Sequence, residues 1–239
     1  MNKPLILHIE TATSICSVAL SEGEKIIAMR ESDRNRSHAI LLSRFIRECL
    51  KESGREITML DAINVGKGPG SYTGLRIGVS TVKGIAYAGR IPVIATGTLH
   101  TLTRAAMNST VVQIIPEENN KDLLLCPMID ARRMEVYTAL FKPDGQIYRE
   151  ITAEIITEHS FPDLFANHTI CFFGDGSEKC KSVIHHPNAC FIDRIIPSAT
   201  FMVPLALDAF FKKRFENTAY FEPFYLKEFL ATIPKKKIL

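Results

Sequence analysis

The 239 residues are 46% hydrophobic and carry 29 Lys plus Arg against 26 Asp plus Glu, a net charge of +3. That length and apolar content support a substantial core, as one large domain or two of roughly 100 to 120 residues each. The charge is too small to argue for nucleic-acid binding by itself, no stretch approaches the ~20 apolar residues needed to span a bilayer, and the apolar run near the start is too short and interrupted for a signal peptide.

A soluble, cytoplasmic globular protein is therefore expected. The six cysteines, Cys16, Cys49, Cys126, Cys171, Cys180 and Cys190, include no Cys-x-x-Cys pair and mostly have apolar neighbours, which reads as reduced, buried thiols rather than a disulfide or metal site.

In chain order, Leu5 to Ile9 reads as a strand, Glu10 to Ser14 as a turn, Cys16 to Ser21 as a second strand, and Lys25 to Arg30 as a third beyond the turn at Gly23. This is a β-meander. Ser37 looks like the N-cap of a helix to about Glu52, with Leu41, Leu42, Phe45, Ile46, Cys49 and Leu50 in a wide apolar stripe and Ser53-Gly54 ending it. Such a stripe packs on a core by default, and its width leaves part of it for a partner helix. His38 reads as a surface or capping histidine.

Asp61 to Val65 is a short buried strand. After it comes Gly66-Lys67-Gly68-Pro69-Gly70-Ser71-Tyr72-Thr73-Gly74-Leu75-Arg76-Ile77-Gly78, a strand-to-helix corner with Thr73 as the expected N-cap. Gly66, Gly68 and Gly70 are free to take positive φ, and the bare N–H groups of the helix start suit an anion. The motif matches neither the Walker A loop nor the dinucleotide fingerprint. Two readings stay open: glycines that permit a tight turn and close packing, or glycines that touch a ligand. The helix, about Gly74 to Ala88, repeats small residues, and each interior glycine costs roughly 1 kcal/mol relative to alanine, so close approach of another element is expected to compensate.

Ile91 to Ala95 is a strand and Thr98 caps a helix through Ala106. The polar stretch from Asn108 to Asp122 reads as a passage between lobes. Leu123 to Ile129 and Glu135 to Phe141 are strands joined by a turn at Asp130 to Arg133, and Pro143-Asp144-Gly145 closes the next hairpin. A strand-rich opening in each half implies two similar lobes. Beyond lie a helix within Ala153 to Ala166, a strand Thr169 to Phe173, a turn Gly174-Asp175-Gly176, a helix Ser177 to Ile184, and a long amphipathic helix from about Ser198 to Phe215 that Pro204 should kink unless it lies in the first turn. His185-His186 lacks partners at ligand spacing, and Lys235 to Lys237 reads as a solvated tail.

Gly68 to Gly78 resembles the signature of the bacterial TsaB family, also called YeaZ, the partner proteins in threonylcarbamoyladenosine synthesis on tRNA. Leu5 to Thr13, Cys16 to Leu20, Ser37-His38, Asp130 to Tyr137 and Tyr225-Leu226-Lys227 extend the likeness in order. The resemblance implies an α/β fold of two similar actin-like, ribonuclease H-like lobes, each a mixed sheet flanked by helices: residues 1–106, residues 107–216, and a segment 217–239 packing back on the first lobe.

In that superfamily the first hairpin wraps a nucleotide phosphate and carries an acidic residue that orients magnesium. Glu10 holds that place, with Thr11, Thr13, Gly68 and Gly70 as further nucleotide-binding candidates; a plain polar turn is the alternative. The resemblance allows weak ATP or ADP with magnesium at a subunit interface. Catalytic relatives carry paired metal-binding histidines where this chain has only His100, so no metal site and no catalytic residue of its own is expected. Partner docking is assigned to Ser37, His38, Leu41, Leu42, Phe45, Tyr72, Leu75, Arg76, Gly78, Val79 and Val82. Gly174-Asp175-Gly176 falls where actin-like folds approach adenosine, or is a plain turn; Asp130, Arg132 and Arg133 form a salt-bridged hairpin, or contact tRNA or a partner.

The implied function is a non-catalytic scaffold in the complex that transfers a threonylcarbamoyl group from its adenylate to the adenosine beside the anticodon of tRNAs reading codons that begin with A. Its expected partners are a TsaD-like metal-dependent catalytic subunit, a TsaE-like energy-coupling ATPase, tRNA through the complex, and a second copy of itself in isolation. A stand-alone actin-like ATPase or small-molecule kinase is the alternative; it needs a base and magnesium-positioning carboxylates on one phosphate, and Glu10 has only Asp61, Asp130 and Asp175 as scattered companions. A metallopeptidase ranks last, lacking a ligand set to activate water.

Overall fold

The computed structural model describes residues 3–33, 38–112 and 122–227. It contains two five-stranded sheets. In the first, β1 (Leu5–Glu10), β2 (Cys16–Glu22) and β3 (Lys25–Ser32) form an antiparallel meander, and β4 (Ala62–Gly68) and β5 (Val93–Gly97) join on the other side of β1 in parallel. In the second, β6 (Asp122–Asp130), β7 (Glu135–Phe141) and β8 (Ile147–Ile155) repeat the meander, with β9 (His168–Phe173) and β10 (Ala189–Ile192) parallel on the far side of β6. Counted from each lobe's first strand, both orders run 3-2-1-4-5. The halves are thus two copies of one plan.

Every residue of β1 is buried because its sheet is covered on both faces. On one face lie α1 (His38–Ser53) and α2 (Tyr72–Gly89), whose Leu42, Phe45, Ile46, Val79 and Val82 meet Leu7, Ile9, Val18 and Leu20. The other face is covered from the far end of the chain: α6 (Val203–Phe211) packs Val203 and Leu207 on Ile6, Ala62 and Ile94. In exchange, α3 (Thr98–Met107) puts Leu99, Leu102 and Ala106 under the second sheet, against Leu125, Phe141 and Phe173. The division at residue 106 therefore leaves α3 in the first segment although its apolar face belongs to the second lobe.

Past α6, from Glu216 to Phe224, the chain lies on the first lobe. The Glu216 N–H donates to the Val93 carbonyl at 2.8 Å, Phe221 is buried in the first core, and the Phe224 N–H donates to the Lys67 carbonyl at 2.7 Å.

Several expected elements change. The helix expected within Ala153 to Ala166 shrinks to α4 (Pro162–Asn167), because β8 runs on to Ile155 through the β-branched Ile151, Thr152 and Ile155. The helix from Ser177 is one turn, α5 (Ser177–Cys180), and β10 follows it unforeseen. The long helix from Ser198 is a 3-10 turn (Ala199–Met202) leading into α6, with Pro204 in the first turn and so no kink. Gly97, not Thr98, is the N-cap residue of α3. The cysteines are free thiols, buried except for the half-buried Cys190, and no helix among the described residues is long and apolar enough to cross a membrane. Ser37, most of the polar stretch after Asn108, and Lys235 to Lys237 lie outside the described residues.

Candidate functional site

The glycine corner begins where β4 ends and α2 starts. Ser71 rather than Thr73 is the N-cap: its Oγ accepts from the Gly74 N–H at 3.3 Å. Of the glycines expected to use positive φ, Gly68 alone does so, at 107°. The others are small because something lies against them. A Cβ on Gly66 would stand 2.5 Å from the Glu10 carboxylate, one on Gly70 2.2 Å from the Ala12 carbonyl, one on Gly74 2.1 Å from the Thr11 carbonyl, and one on Gly78 2.4 Å from the Thr11 hydroxyl.

Glycine at every fourth position thus seats the β1–β2 turn on the start of α2. Hydrogen bonds fix it there: the Ser71 N–H donates to the Ala12 carbonyl at 2.6 Å, and the Thr11 hydroxyl donates to the Gly74 carbonyl at 2.9 Å. Of the two readings of the motif, close packing accounts for Gly66, Gly70, Gly74 and Gly78, and their contacts are with the chain itself.

Glu10 lies beneath this turn, fully buried. Its Oε1 accepts from the N–H groups of Thr11 at 2.9 Å and Ala12 at 2.8 Å, while Oε2 has no partner. Burial disfavours the charged form more than those two donors favour it, so the carboxyl is pushed up to about 7. Thr11 is equally buried, and Thr13 accepts from the Ile15 N–H at 3.2 Å.

Beside the corner, a cleft of about 960 Å³ opens between the lobes. Thr13, Ser14, His38 and Gly70 line it from the first lobe, and Asp130, Arg132, Tyr137 and Asp175 from the second. Of the nucleotide candidates, Thr13 and Gly70 reach this cleft, whereas Glu10, Thr11 and Gly68 are not among its walls. A magnesium ion in the cleft does not reach the Glu10 carboxylate, which is fully buried with both oxygens against Gly66 and Oε1 held by backbone donors.

Across the cleft, Asp175 accepts from the Asp130 N–H at 3.0 Å, and burial raises its carboxyl above the usual range. Asp130 accepts from the Arg132 N–H at 2.9 Å and pairs with Lys179, so the ion pair of this hairpin reaches out to α5. Gly174, at φ 98°, packs against the Met128 carbonyl, where a Cβ would come within 2.4 Å. The end of the described chain then bridges the lobes. Tyr225 lies on Tyr72 with ring centroids 4.9 Å apart and accepts from Arg76 Nε at 3.3 Å, and Lys227 pairs with Glu135.

The residues assigned to partner docking divide by burial. Leu42, Phe45, Leu75, Gly78, Val79 and Val82 are buried inside their own lobe and present no surface to a partner. His38 holds the turn, its Nε2 3.0 Å from the Thr13 carbonyl. Leu41 and Tyr72 are half-buried, and Arg76 is exposed above the Tyr72 ring. The outward faces carry other residues: Ile40, 74% exposed, with Ala39 and Ser43 on α1, and Thr73, Ser80 and Gly84 on α2. Ile40 lies two positions before Leu42, the first residue of the buried stripe, and off its i, i+3, i+4 spacing, which was the signal that could have singled it out.

His100 is largely buried with its ring edge on Phe141 at 5.0 Å, and desolvation lowers its pKa. Among the described residues no group of three His, Cys, Asp or Glu is placed to hold a metal ion.

Comparison with known proteins agrees with this geometry. The model of the family described as TsaD, tRNA N6-adenosine threonylcarbamoyltransferase, matches residues 32–161. The tRNA threonylcarbamoyladenosine biosynthesis protein TsaB of Escherichia coli K12 is 28% identical, over 95% of this chain and 96% of its own length. The TsaB of Bacillus subtilis is 31% identical over 68% of this chain and 70% of its own. A crystal structure of YeaZ from Pseudomonas aeruginosa superposes with a TM-score of 0.74 at 26% identity, covering 93% of this chain and all of that one. Another Pseudomonas aeruginosa structure, described as similar to peptidase YeaZ, gives 0.79 at 27%, covering 94% of this chain and all of that one.

Proposed function

Because the chain belongs to the TsaB (YeaZ) family, we propose that it serves tRNA threonylcarbamoyladenosine biosynthesis as a non-catalytic subunit that docks on a homologous TsaD-like catalytic subunit, with a TsaE-like ATPase joining the assembly. One observation carries the non-catalytic reading. The turn that meets phosphate in actin-like enzymes is here packed into the glycine gaps of α2, with its carboxylate turned inward onto its own backbone. Such a carboxyl cannot take a proton from a nucleophile in the cleft, because acid–base work requires hydrogen-bond reach of the reacting group.

In this reading the chain holds no resident metal, and any nucleotide contact is weak and shared between subunits. The outward sides of α1 and α2 form the docking face. Being shaped for a homologous fold, that face also matches itself, and a homodimer forms in the absence of the partner.

The experiment is reconstitution. The purified chain alone should turn over neither ATP nor peptide above buffer, yet should restore threonylcarbamoylation of tRNA when added to the other subunits. Solitary ATP turnover that vanishes in Glu10→Ala would replace this reading with the kinase one.

A further inference from the structure

At the start of β5 two helices end together. α2 stops at Gly89 and passes through Arg90, Ile91 and Pro92 to Val93; α6 stops at Phe211, and its continuation returns to the same place, where Glu216 bonds to Val93. Lys83 fastens the two ends, donating from Nζ to the carbonyls of Ala219 and Phe221 at 3.2 and 3.1 Å. A hollow of about 640 Å³ lies here, walled in part by Tyr87, Arg90, Pro92 and Thr218.

Exposed rings and cations stand along these two chain ends. Tyr87 and Tyr220 are 85% and 83% exposed, and Phe211 61%, so these rings leave large flat areas in water. Asp208 is shared by Lys212, at 2.8 Å, and Arg214. Arg90 and Lys213 consequently have no acidic partner among the described residues.

Both of those cations sit at positive φ, 53° and 54°, just past the ends of their helices. Glycine takes that conformation without strain, so a long side chain there acts against local preference. A cation near helix carbonyls has a favourable charge interaction, but one placed in the last helical turn would have it without the strain, and neither helix carries a basic residue in its last turn. Exposed rings beside unpaired cations match single-stranded nucleic acid, whose bases stack on aromatic faces regardless of sequence while Lys and Arg meet the phosphates.

We propose that the two chain ends at the start of β5 form a contact site for unpaired nucleotides of RNA, with Tyr87 as the stacking face and Arg90 and Lys213 as phosphate contacts. The inference rests on the reading that this chain works on tRNA, and it gives the subunit its own hold on that substrate, at the end of α2 away from the cleft.

Fluorescence anisotropy of a labelled oligouridylate with the full chain tests it, with co-purification of the catalytic partner as a second readout. The chain should bind the oligonucleotide saturably and more weakly as salt rises. Tyr87→Ala should lower the affinity about tenfold, the size of one lost base–ring stack. Joint replacement of Arg90 and Lys213 by alanine should reduce the slope of log affinity against log salt by about 1 to 2. Melting temperatures should stay unchanged, since these side chains are exposed.

Absent binding, or equal binding by all three proteins, would overturn the proposal. So would variants that keep RNA affinity and lose the catalytic partner, because the rings would then belong to a protein interface. If the wild-type chain failed to restore tRNA modification while Tyr87-dependent RNA binding persisted, the proposed function would fall and this site would stand.

Discussion

Gly74 and Gly84 occupy the same helix and do opposite things. A methyl group on Gly74 would strike the Thr11 carbonyl, whereas nothing lies within 4 Å of one on Gly84. Gly74→Ala should therefore cost about 3 kcal/mol, the upper range for overpacking, and Gly84→Ala should gain about 0.5 to 1 kcal/mol of helix propensity. Urea unfolding of the two variants checks both signs. Glu10 adds a dependence on pH. Its folded pKa, about 7, lies above the ordinary 4.5, so the stability it contributes is complete below 4.5 and is lost as pH rises to about 7, on the order of 3 kcal/mol in all. His8 works the other way. Its ring is buried between Ser21, at 2.9 Å from Nε2, and Asn64, at 3.2 Å from Nδ1, and burial holds it down near 3, so its contribution is lost as pH falls below 6.5. The difference between the Glu10→Gln variant and the parent isolates the carboxyl. It should grow in the variant's favour between pH 4.5 and 7 and stay flat outside that window.

At the scale of the element, the proposed docking role of α1 and α2 makes a prediction that separates folding from association. Ile40 and Ser80 face outward from α1 and α2, so Ile40→Arg and Ser80→Arg should abolish partner co-purification and self-association while leaving the melting temperature within a few degrees of the parent. Sedimentation and a thermal melt report the two effects separately. Much of α1 and α2 was legible, because apolar spacing and small residues mark a helix and its packed side. The outward side of α1 was not: an apolar side chain bound for its own core and an exposed one look alike in a sequence, and Leu42 and Phe45 proved to be core while Ile40 faces water. The exchange of α3 and α6 between sheets was hidden for a similar reason, since amphipathicity says that a helix needs a sheet but not which one. The strand β10 and the shortness of α4 were lost where short apolar runs fit helix and strand equally well.

For the whole molecule, two sheets of identical strand order enclose one cleft, and the described chain ends by linking them, with Tyr225 on α2 and Lys227 on Glu135 of β7. The repeated meander was readable from the two strand-rich openings. The cleft was not, because Asp130, Asp175 and Thr13 are far apart in sequence and meet only after both lobes are built. The glycine motif was readable as a corner, but its partner, the β1–β2 turn, became evident only from the distances at Gly66, Gly70, Gly74 and Gly78. That packing is the observation behind the proposal that the chain gives support rather than chemistry. The decisive measurement is the rate of tRNA threonylcarbamoylation by the reconstituted assembly carrying Glu10→Gln in this subunit alone. An intact assembly working within about twofold of the parent is predicted; an intact assembly slowed about 10²-fold or more, the loss expected on removing a general acid or base, would contradict the account.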